Sequence, residues 1–296
     1  MAPPLPRVVL LDVDGTLIGR IGAAACQYDL LRATGACKGK RLAAAKEDLV
    51  ARLKHGIVRP HLDAFCRHAA AAGVELFVYT ASDPRWAAFI VPCIEAALGV
   101  RFNRPLLTRK HCLPPPPGGT EFRKSLARVV PLVRASLRRR YPGLQGGVGG
   151  AADPMRGRVL LVDNTPGVVA DAAEAPMVVT CPSYEYCYVF DVLQHVDVSA
   201  LHRRTARVAP VLARYGLLAP GAPPPPGYPQ LAQAYYERLA RAISDTAAAN
   251  VRALASDRFW LAFWPALAQA LRRAGPAAPP FDEEGVRALR QAAGAR

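Results

Sequence analysis

The sequence lacks the cysteine pairs that mark zinc sites and redox-active motifs. None of its seven cysteines forms a C-x-x-C pair. The six histidines are dispersed and offer no zinc-binding spacing either. A structural zinc site is therefore not expected, and the cysteines are consistent with a reducing compartment.

A long apolar run is also missing. The apolar stretch near the N-terminus, VVLLDVDGTL, is interrupted by acids too soon for a signal peptide or a membrane-spanning helix. No internal repeat is evident. We therefore expect an intracellular protein, cytoplasmic or nuclear, that is not secreted and has no membrane-spanning segment.

Acidic residues are few compared with basic ones. The chain has 38 Lys and Arg against 23 Asp and Glu, which gives a formal charge of +15. Such a charge attracts phosphorylated or otherwise acidic partners, and it also suits nucleic acid. Because most of the excess is arginine scattered among alanine and proline, a phosphorylated protein segment is favoured and nucleic acid remains the alternative. The oligomeric state does not follow from the sequence.

Four short apolar runs predict buried parallel strands. They are separated by segments with apolar residues three and four positions apart, which is typical of helices. Strands that alternate with helices predict an α/β fold with a parallel sheet. The strands are 7–11, 74–79, 159–162 and 177–180, and the helices are 61–72, 84–98 and 121–140.

Proline and glycine runs divide the rest of the chain. PPPPGG at 114–119 and GLQGGVGGAADP at 143–154 predict surface loops. We expect a catalytic domain at 1–200 with a small basic insertion at 20–58. A helical extension at 201–296 follows, built around a proline-rich linker at 219–229, and its predicted helices are 230–255, 257–273 and 282–293.

Two acids follow the first predicted strand directly. Asp12 and Asp14 flank one residue, so an extended backbone places their side chains on the same side. They lie at the carboxyl edge of the sheet, where α/β proteins bind ligands. Two close carboxylates repel each other unless a cation lies between them, and Mg²⁺ prefers such oxygen ligands.

This acid pair also suits phosphoryl transfer. One acid can attack phosphorus while the other protonates the leaving oxygen. Gly15 and Thr16 permit a tight turn whose N–H groups can face phosphate oxygens. The plain alternative is an ordinary turn in which Asp14 bonds its own backbone. A calcium loop is disfavoured because no acid stands at the closing positions.

A hydroxyl and a lysine are candidates for holding the phosphoryl group. The second strand ends at Thr80, beside the N–H groups of the Ala81–Ser82 turn. Lys124 lies near the start of a predicted helix, from which its ammonium could offset carboxylate and phosphate charge. Its neighbours Arg109, Lys110 and Arg123 are rivals for that role, and each feature taken alone is more often structural.

The third strand delivers Asp163 and Asn164 at its carboxyl end, which adds two oxygen-bearing side chains for a metal. An ordinary turn would explain D-N-T-P equally well. However, the acid pair, the hydroxyl, the lysine and the acid–amide pair occur in this order, and three of the four follow apolar strands. Their combination predicts a magnesium-dependent phosphatase site.

Five stretches resemble the haloacid-dehalogenase (HAD) superfamily. Within it, they are similar to the RNA polymerase II carboxy-terminal-domain phosphatases, also described as NLI-interacting-factor-like phosphatases. The resemblance covers roughly residues 8–198 and implies a HAD-like Rossmannoid sheet. The matching stretches are DVDGTL at 12–17, RPHLDAF at 59–65, VYTAS at 78–82, FRKSL at 122–126 and VDNTP at 162–166.

The resemblance implies a role for each matched residue. Asp12 would be the nucleophile and a Mg²⁺ ligand. Asp14 would be the general acid and base and would bind the metal through its carbonyl. Thr80 and Lys124 would hold the phosphoryl group. Asn164 would bind the metal directly with Asp163 beside it.

The sequence departs from this family at two places. Glycine stands at Gly15 where the family usually has glutamate, which bears on the substrate and not on the chemistry. The segment 20–58 is also unlike the family's short β insertion, because residues 38–56 are typical of a basic helix. That helix could recruit phosphorylated segments, although a solvated helix face is the simpler interpretation.

The C-terminal extension carries an apolar helical stripe that includes Phe259, Trp260, Phe263 and Trp264. It could bind a membrane surface or a partner. Docking against the catalytic domain of the same chain is the interpretation we favour.

Three functions follow from these patterns. The first is a phosphatase acting through an aspartyl-phosphate intermediate on phosphoserine or phosphothreonine in proteins. The second is a phosphatase of a small metabolite or a nucleic-acid end, and the third is a non-catalytic binding module with the same fold. We rank the protein phosphatase first because no room for a large cap exists between Thr80 and Lys124.

Overall fold

The apolar run near the N-terminus forms the central strand of a five-stranded parallel sheet. This strand, β1 (Arg7–Leu11), lies between β2 (Val74–Tyr79) and β4 (Val159–Asp163), and the outer strands are β3 (Asn103–Leu107) and β5 (Val178–Thr180). Their order is β3-β2-β1-β4-β5, and every pairing is parallel. The predicted α/β fold with a parallel sheet is confirmed.

This computed structural model describes residues 4–36, 38–145, 153–217, 228–276 and 278–294. Contacts within it group the chain into two units. The first contains Met1–Leu17, Arg59–Tyr184 and Ser256–Arg296, and the second contains Ile18–Val58 and Glu185–Ala255. This grouping crosses the predicted boundary near residue 200, and an independent domain at 1–200 remains a prediction.

The sheet of the first unit is buried on both faces. Along β1, Val8 and Leu10 point to one face and Val9 and Leu11 to the other, and all four are fully buried. The first face packs against α5 (Leu126–Leu137) in one apolar cluster. Helix α3 (Leu62–Ala71) contacts β2, which explains why the strands are apolar throughout instead of alternating.

Strand β3 was not predicted. Its sequence, NRPLL, contains a proline and has only two apolar residues at its end. Proline is tolerated there because β3 lies at an edge of the sheet, where one side of the strand needs no ladder hydrogen bonds. Helix α4 (Pro84–Leu98) precedes it, starting after the N-cap Asp83 and ending at Gly99 in a left-handed conformation.

The aromatic stripe of the C-terminal extension docks within the first unit. Helix α9 (Phe259–Ala274) packs against α3, where the centroid of the Phe65 ring lies 4.3 Å from that of Trp260 and 5.9 Å from that of Phe263. Helix α10 (Glu283–Gly294) packs against α9 and β5. The stripe is therefore part of the hydrophobic core of the first unit. This agrees with docking within the same chain, the interpretation favoured from the sequence.

The second unit is helical. It contains α1 (Gly22–Ala33), α2 (Lys40–Arg52), α6 (Val198–Arg203), α7 (Thr205–Arg214) and most of α8 (Tyr228–Ser256). Residues 20–58 group with 185–255 in this unit, and the small basic insertion at 20–58 stays a prediction. The predicted basic helix is α2, which buries Ala45 and Leu49.

The helices of the C-terminal extension lie where the sequence predicts them. The predicted linker cannot be compared with the structure in the same way. Residues 219–227 of the linker, including its proline run, and residues 146–152 of the glycine-rich loop lie outside the described residues. Within the described ranges, none of the helices combines the length and apolarity that a membrane span requires.

Candidate active site

The carboxyl ends of three neighbouring strands bring the predicted residues together. Asp12 follows β1, Thr80 follows β2 and Asp163 ends β4. The N–H of Asp12 donates to the carbonyl of Val162 at 3.0 Å, which ties the acidic loop to the adjacent strand. Sheet topology therefore places acids and a hydroxyl from distant parts of the sequence at one edge.

Lys124 lies between two of these acids. Its Nζ donates to Oδ1 of Asp12 at 2.6 Å and to Oδ2 of Asp163 at 2.5 Å. The ammonium is fully buried, as is Asp163, and Asp12 is only 8% exposed. The rivals Arg109 and Lys110 are exposed, and Arg123 donates to the carbonyls of Gly167 and Val169. Among these four candidates, Lys124 is thus the one that pairs with the acids of the site.

Lys124 reaches the site from an extended segment, and not from a helix as predicted. Its N–H donates to the carbonyl of Val168 at 2.8 Å, and its carbonyl accepts from Ala170 at 2.9 Å. The helix that follows begins only at Leu126. The ring of Tyr79 lies 5.2 Å from the ammonium, which adds a favourable cation–π contact.

Burial and charge shift the pKa values of this cluster. Desolvation by burial raises the pKa of Asp12 to about 7, although Lys124 counteracts the shift. The two carboxylates beside Lys124 outweigh its own burial and raise the pKa of its ammonium. The lysine therefore stays charged, and it favours the ionised form of Asp12 that a nucleophile requires.

Asp14 lies on the open side of the same loop. Its Oδ2 accepts a hydrogen bond from the Ser82 hydroxyl at 3.0 Å. Although its side chain is accessible to water, the surrounding protein removes part of its hydration and raises the pKa of the carboxyl group. A carboxyl group that holds its proton more readily is suited to protonating a leaving oxygen.

The turn after β2 differs in detail from the prediction. The Ser82 N–H donates to Oγ1 of Thr80 at 3.1 Å, so it is not free to hold a phosphoryl oxygen. The buried Thr80 hydroxyl and the Ala81 N–H remain candidates for that contact. The Ser82 hydroxyl, which sequence reasoning missed, instead orients Asp14.

Gly15 and Thr16 shape the other side of the loop. The Thr16 N–H donates to the carbonyl of Val13 at 3.3 Å. A phosphate-binding role for the amides of Gly15 and Thr16 stays a prediction. The Thr16 hydroxyl donates to Oδ1 of Asn164 at 3.3 Å. Gly15 has a φ of +77°, which only glycine adopts readily.

The acid and the amide at the end of β4 have different surroundings. Both carboxylate oxygens of Asp163 are engaged, Oδ2 by Lys124 and Oδ1 by the N–H of Thr165 at 2.8 Å. Asn164 points its amide toward the acidic loop, where Ser183 accepts from its Nδ2 at 3.3 Å. Asp163 is therefore placed to hold the lysine, whereas the amide oxygen of Asn164 lies at Thr16 of the acidic loop.

Two further buried residues escaped sequence reasoning. Glu174 accepts hydrogen bonds from the N–H groups of Leu126 at 2.9 Å and Ala127 at 2.7 Å, which caps α5 behind Lys124. Arg59 is fully buried and pairs with Asp257. Arg59 stands in a recognisable motif, but no local pattern marks Glu174 or Asp257, because their partners are distant in sequence.

The carboxyl edge of the parallel sheet carries an acid pair after the first strand, a hydroxyl after the second, a buried lysine and an acid–amide pair. This combination of fold and site defines a HAD-like phosphatase. The profile of the family described as NLI interacting factor-like phosphatase matches residues 7–186. The chain belongs to this family and is a phosphatase, as the motifs predicted.

Other comparisons give distant similarity. No curated protein matches the chain significantly. The structure of Fcp1, an essential RNA polymerase II CTD phosphatase, is 15% identical with a TM-score of 0.36, covering 93% of this chain and 68% of that one. A variant of fission yeast Fcp1 bound to beryllium fluoride is 15% identical with a TM-score of 0.37, covering 93% and 69%.

Proposed function

We propose that the protein is a magnesium-dependent phosphatase that forms a phosphorylated Asp12. The observation that carries this proposal is the buried Asp12–Lys124–Asp163 network, with Asp14 on its open side. In the described part of the chain, Oδ1 of Asp12 accepts from Lys124, and Oδ2 makes no hydrogen bond. Oδ2 is therefore the candidate attacking atom.

The charges of this cluster fit a divalent cation. The cluster contains three carboxylates and one ammonium, so its net charge is −2 when all four groups are ionised. Most of these groups are buried away from water. Among the described residues, no group of three or more His, Cys, Asp or Glu side chains could hold a metal ion. The proposed ligands therefore mix oxygen types: the Asp12 carboxylate, the Asn164 amide and the Asp14 carbonyl.

The residues divide the reaction into two steps. Asp12 attacks phosphorus while Asp14 donates a proton to the leaving oxygen, and a water activated by Asp14 then cleaves the acyl phosphate. Lys124 and Thr80 bind phosphoryl oxygens, and Asp163 keeps the lysine in place. Bound Mg²⁺ would supply Lewis-acid stabilisation of the charge that develops on phosphoryl oxygens.

A phosphoserine- or phosphothreonine-containing protein segment is the substrate class that we propose. The described residues between Thr80 and Lys124 belong to the first unit, as α4, β3 and loops, and form no separate cap. A groove of about 390 Å³ lies beside the site, between Phe122–Arg123 and Thr165–Val168. Its walls adjoin Lys124 and Asn164, so it can accept residues that flank a phosphorylated side chain.

Replacement of the nucleophile tests the chemistry. Asp12→Asn should lower kcat for an aryl phosphate by several orders of magnitude, because the amide cannot form the acyl phosphate. Wild-type turnover should require Mg²⁺, and beryllium fluoride should inhibit the wild type as a phosphoryl mimic. The unfolding transition of the variant serves as the control for folding. Near wild-type turnover by a folded variant would show that the nucleophile is misassigned.

A further inference from the structure

Arg59 is a buried residue that touches the catalytic loop at two points. Its N–H donates to the carbonyl of Leu17 at 2.9 Å, and its Nη1 lies 3.5 Å from the carbonyl oxygen of Gly15. The same carbonyl of Gly15 accepts from the N–H of Tyr184 at 2.8 Å. The guanidinium therefore lies directly behind the turn that carries Asp12 and Asp14.

The C-terminal extension holds this guanidinium. Nε of Arg59 donates to Oδ1 and Oδ2 of Asp257 at 3.1 and 2.9 Å, and Nη2 lies 2.9 Å from Oδ2. The guanidinium carbon also lies 4.5 Å from the ring centroid of Phe259. Both partners come from the start of α9, whereas Gly15 lies near the N-terminus.

The pair cannot be an ordinary surface ion pair. The Arg59 side chain is 1% exposed and that of Asp257 is 10% exposed. Removing one member of a buried pair leaves the other charge without a partner, which is strongly destabilising. The three contacts to the Asp257 carboxylate also restrict the plane of the guanidinium, because its donors have a rigid geometry.

We infer that Asp257 is a positioning residue for the catalytic loop. Acting through Arg59, it fixes the carbonyl of Gly15 and hence the direction in which Asp12 and Asp14 leave β1. The C-terminal extension would thus complete the active site without contributing a group that touches substrate. The effect on turnover rests on the proposed function, whereas the effect on loop mobility does not.

A change at Asp257 should reduce kcat more than it changes KM. A misplacement of a reacting group by about 1 Å can cost about 100-fold in rate. Asp257→Asn should lower kcat for an aryl phosphate about 10- to 100-fold and change KM by less than about twofold, because phosphoryl contacts remain. Asp257→Glu keeps the charge and should recover most of kcat.

Glu283→Gln is the matched control. It also converts a carboxylate of the extension to an amide, but its ion pair with Arg287 is exposed. Its kcat should equal that of the wild type, because exposed pairs of this kind contribute little.

A double variant separates positioning from stability. Arg59→Met with Asp257→Leu removes both buried charges, and apolar replacement of a buried ion pair is often neutral for stability. Asp257 also accepts from the N–H of Phe259 at 3.2 Å, so this variant loses that contact as well and should unfold at a slightly lower urea concentration. If the pair positions the loop, the variant still folds and kcat stays low. Recovery of full kcat would overturn the inference. Failure to fold would overturn it as well, because the pair would then serve the fold and not the loop.

Hydrogen exchange provides a readout that does not depend on turnover. In Asp257→Asn, amides in a peptide covering residues 11–19 should exchange faster than in the wild type, whereas those of β2 should not change. Unchanged exchange at 11–19 in a folded variant contradicts the inference. If the wild type shows no phosphatase activity but the exchange difference appears, the proposed function fails and the positioning role stands.

Discussion

Gly15 stands in the acidic loop between Asp14 and Thr16, and its surroundings explain the glycine. A Cβ at this position would lie 2.5 Å from Nδ2 of Asn164 and 2.9 Å from Oγ of Ser183. The backbone is also left-handed there, with φ +77°. A side chain would therefore displace the amide that we propose as a metal ligand.

Gly15→Ala should impair Mg²⁺ use more than it impairs folding. The collision is with the end of a side chain, which can move, so the main consequence is a displaced Asn164. We expect about 10- to 100-fold weaker Mg²⁺ activation, the range typical of altered ligand support. Left-handed alanine should also cost about 1–2 kcal/mol in the free energy of unfolding.

Gly99→Ala is the control for this backbone strain. Gly99 has φ +68°, and a Cβ there would meet no atom within 4 Å. Its free energy of unfolding should fall similarly, while the Mg²⁺ dependence of kcat stays that of the wild type. A Mg²⁺ titration of kcat, combined with urea unfolding of both variants, makes the comparison. Equal Mg²⁺ dependence in the two variants would remove Asn164 from the proposed ligand set.

At the scale of elements, helix α5 begins behind the catalytic lysine with an unusual cap. The Ser125 side chain at the N-cap position makes no capping hydrogen bond. Glu174 supplies it from a different part of the chain, accepting from Leu126, Ala127 and the Ser125 hydroxyl. A negative charge at a helix N-terminus is favourable, because the unpaired N–H groups there carry partial positive charge.

Loss of this cap should destabilise the protein. Glu174→Ala removes the partner of the Leu126 and Ala127 N–H groups, of which Leu126 is buried, and should lower the free energy of unfolding by about 1–3 kcal/mol. Glu121→Ala, an exposed loop residue, is the control and should change it by less than about 0.5 kcal/mol. Urea unfolding of both variants measures the difference. Equal stability would mean that water caps the helix as well as Glu174 does.

At the scale of the whole molecule, excess positive charge is the dominant feature, at +15 for the full sequence. Some of the basic side chains make contacts within the protein. Arg52 of α2 bonds Asp48, Tyr188 and Gln194 and lies 4.6 Å from the ring centroid of Phe190. The exposed lysines Lys38, Lys40 and Lys54 lie at the two ends of α2 and remain available to attract acidic substrates.

An acidic phosphopeptide should therefore be bound in a salt-dependent manner. Its KM should rise about threefold or more as ionic strength increases from about 0.05 to about 0.3 M, because salt screens long-range attraction. A small aryl phosphate, which carries the phosphate charge but no acidic flanking residues, should show a smaller change. Kinetic assays of both substrates at the two salt concentrations measure this. Replacing Lys38, Lys40 and Lys54 together with glutamine should reduce the salt dependence. A salt-insensitive preference for a free metabolite would contradict a protein substrate.

The sequence by itself determined the sheet and the chemical groups at its edge. Apolar runs identified four of five strands, because buried parallel strands are apolar throughout. The order of the acid pair, Thr80, Lys124 and the acid–amide pair predicted the site and the phosphatase family. These features were accessible because each is local: a strand followed at once by polar residues.

Only the tertiary structure decided how these groups are held. The edge strand β3 escaped prediction because its pairing, and not its own composition, makes it a strand. The extended approach of Lys124, the cap from Glu174 and the pairing of Arg59 with Asp257 join residues far apart in sequence. No local spacing encodes such contacts, since they arise only when packing excludes water and leaves buried charges and N–H groups in need of partners.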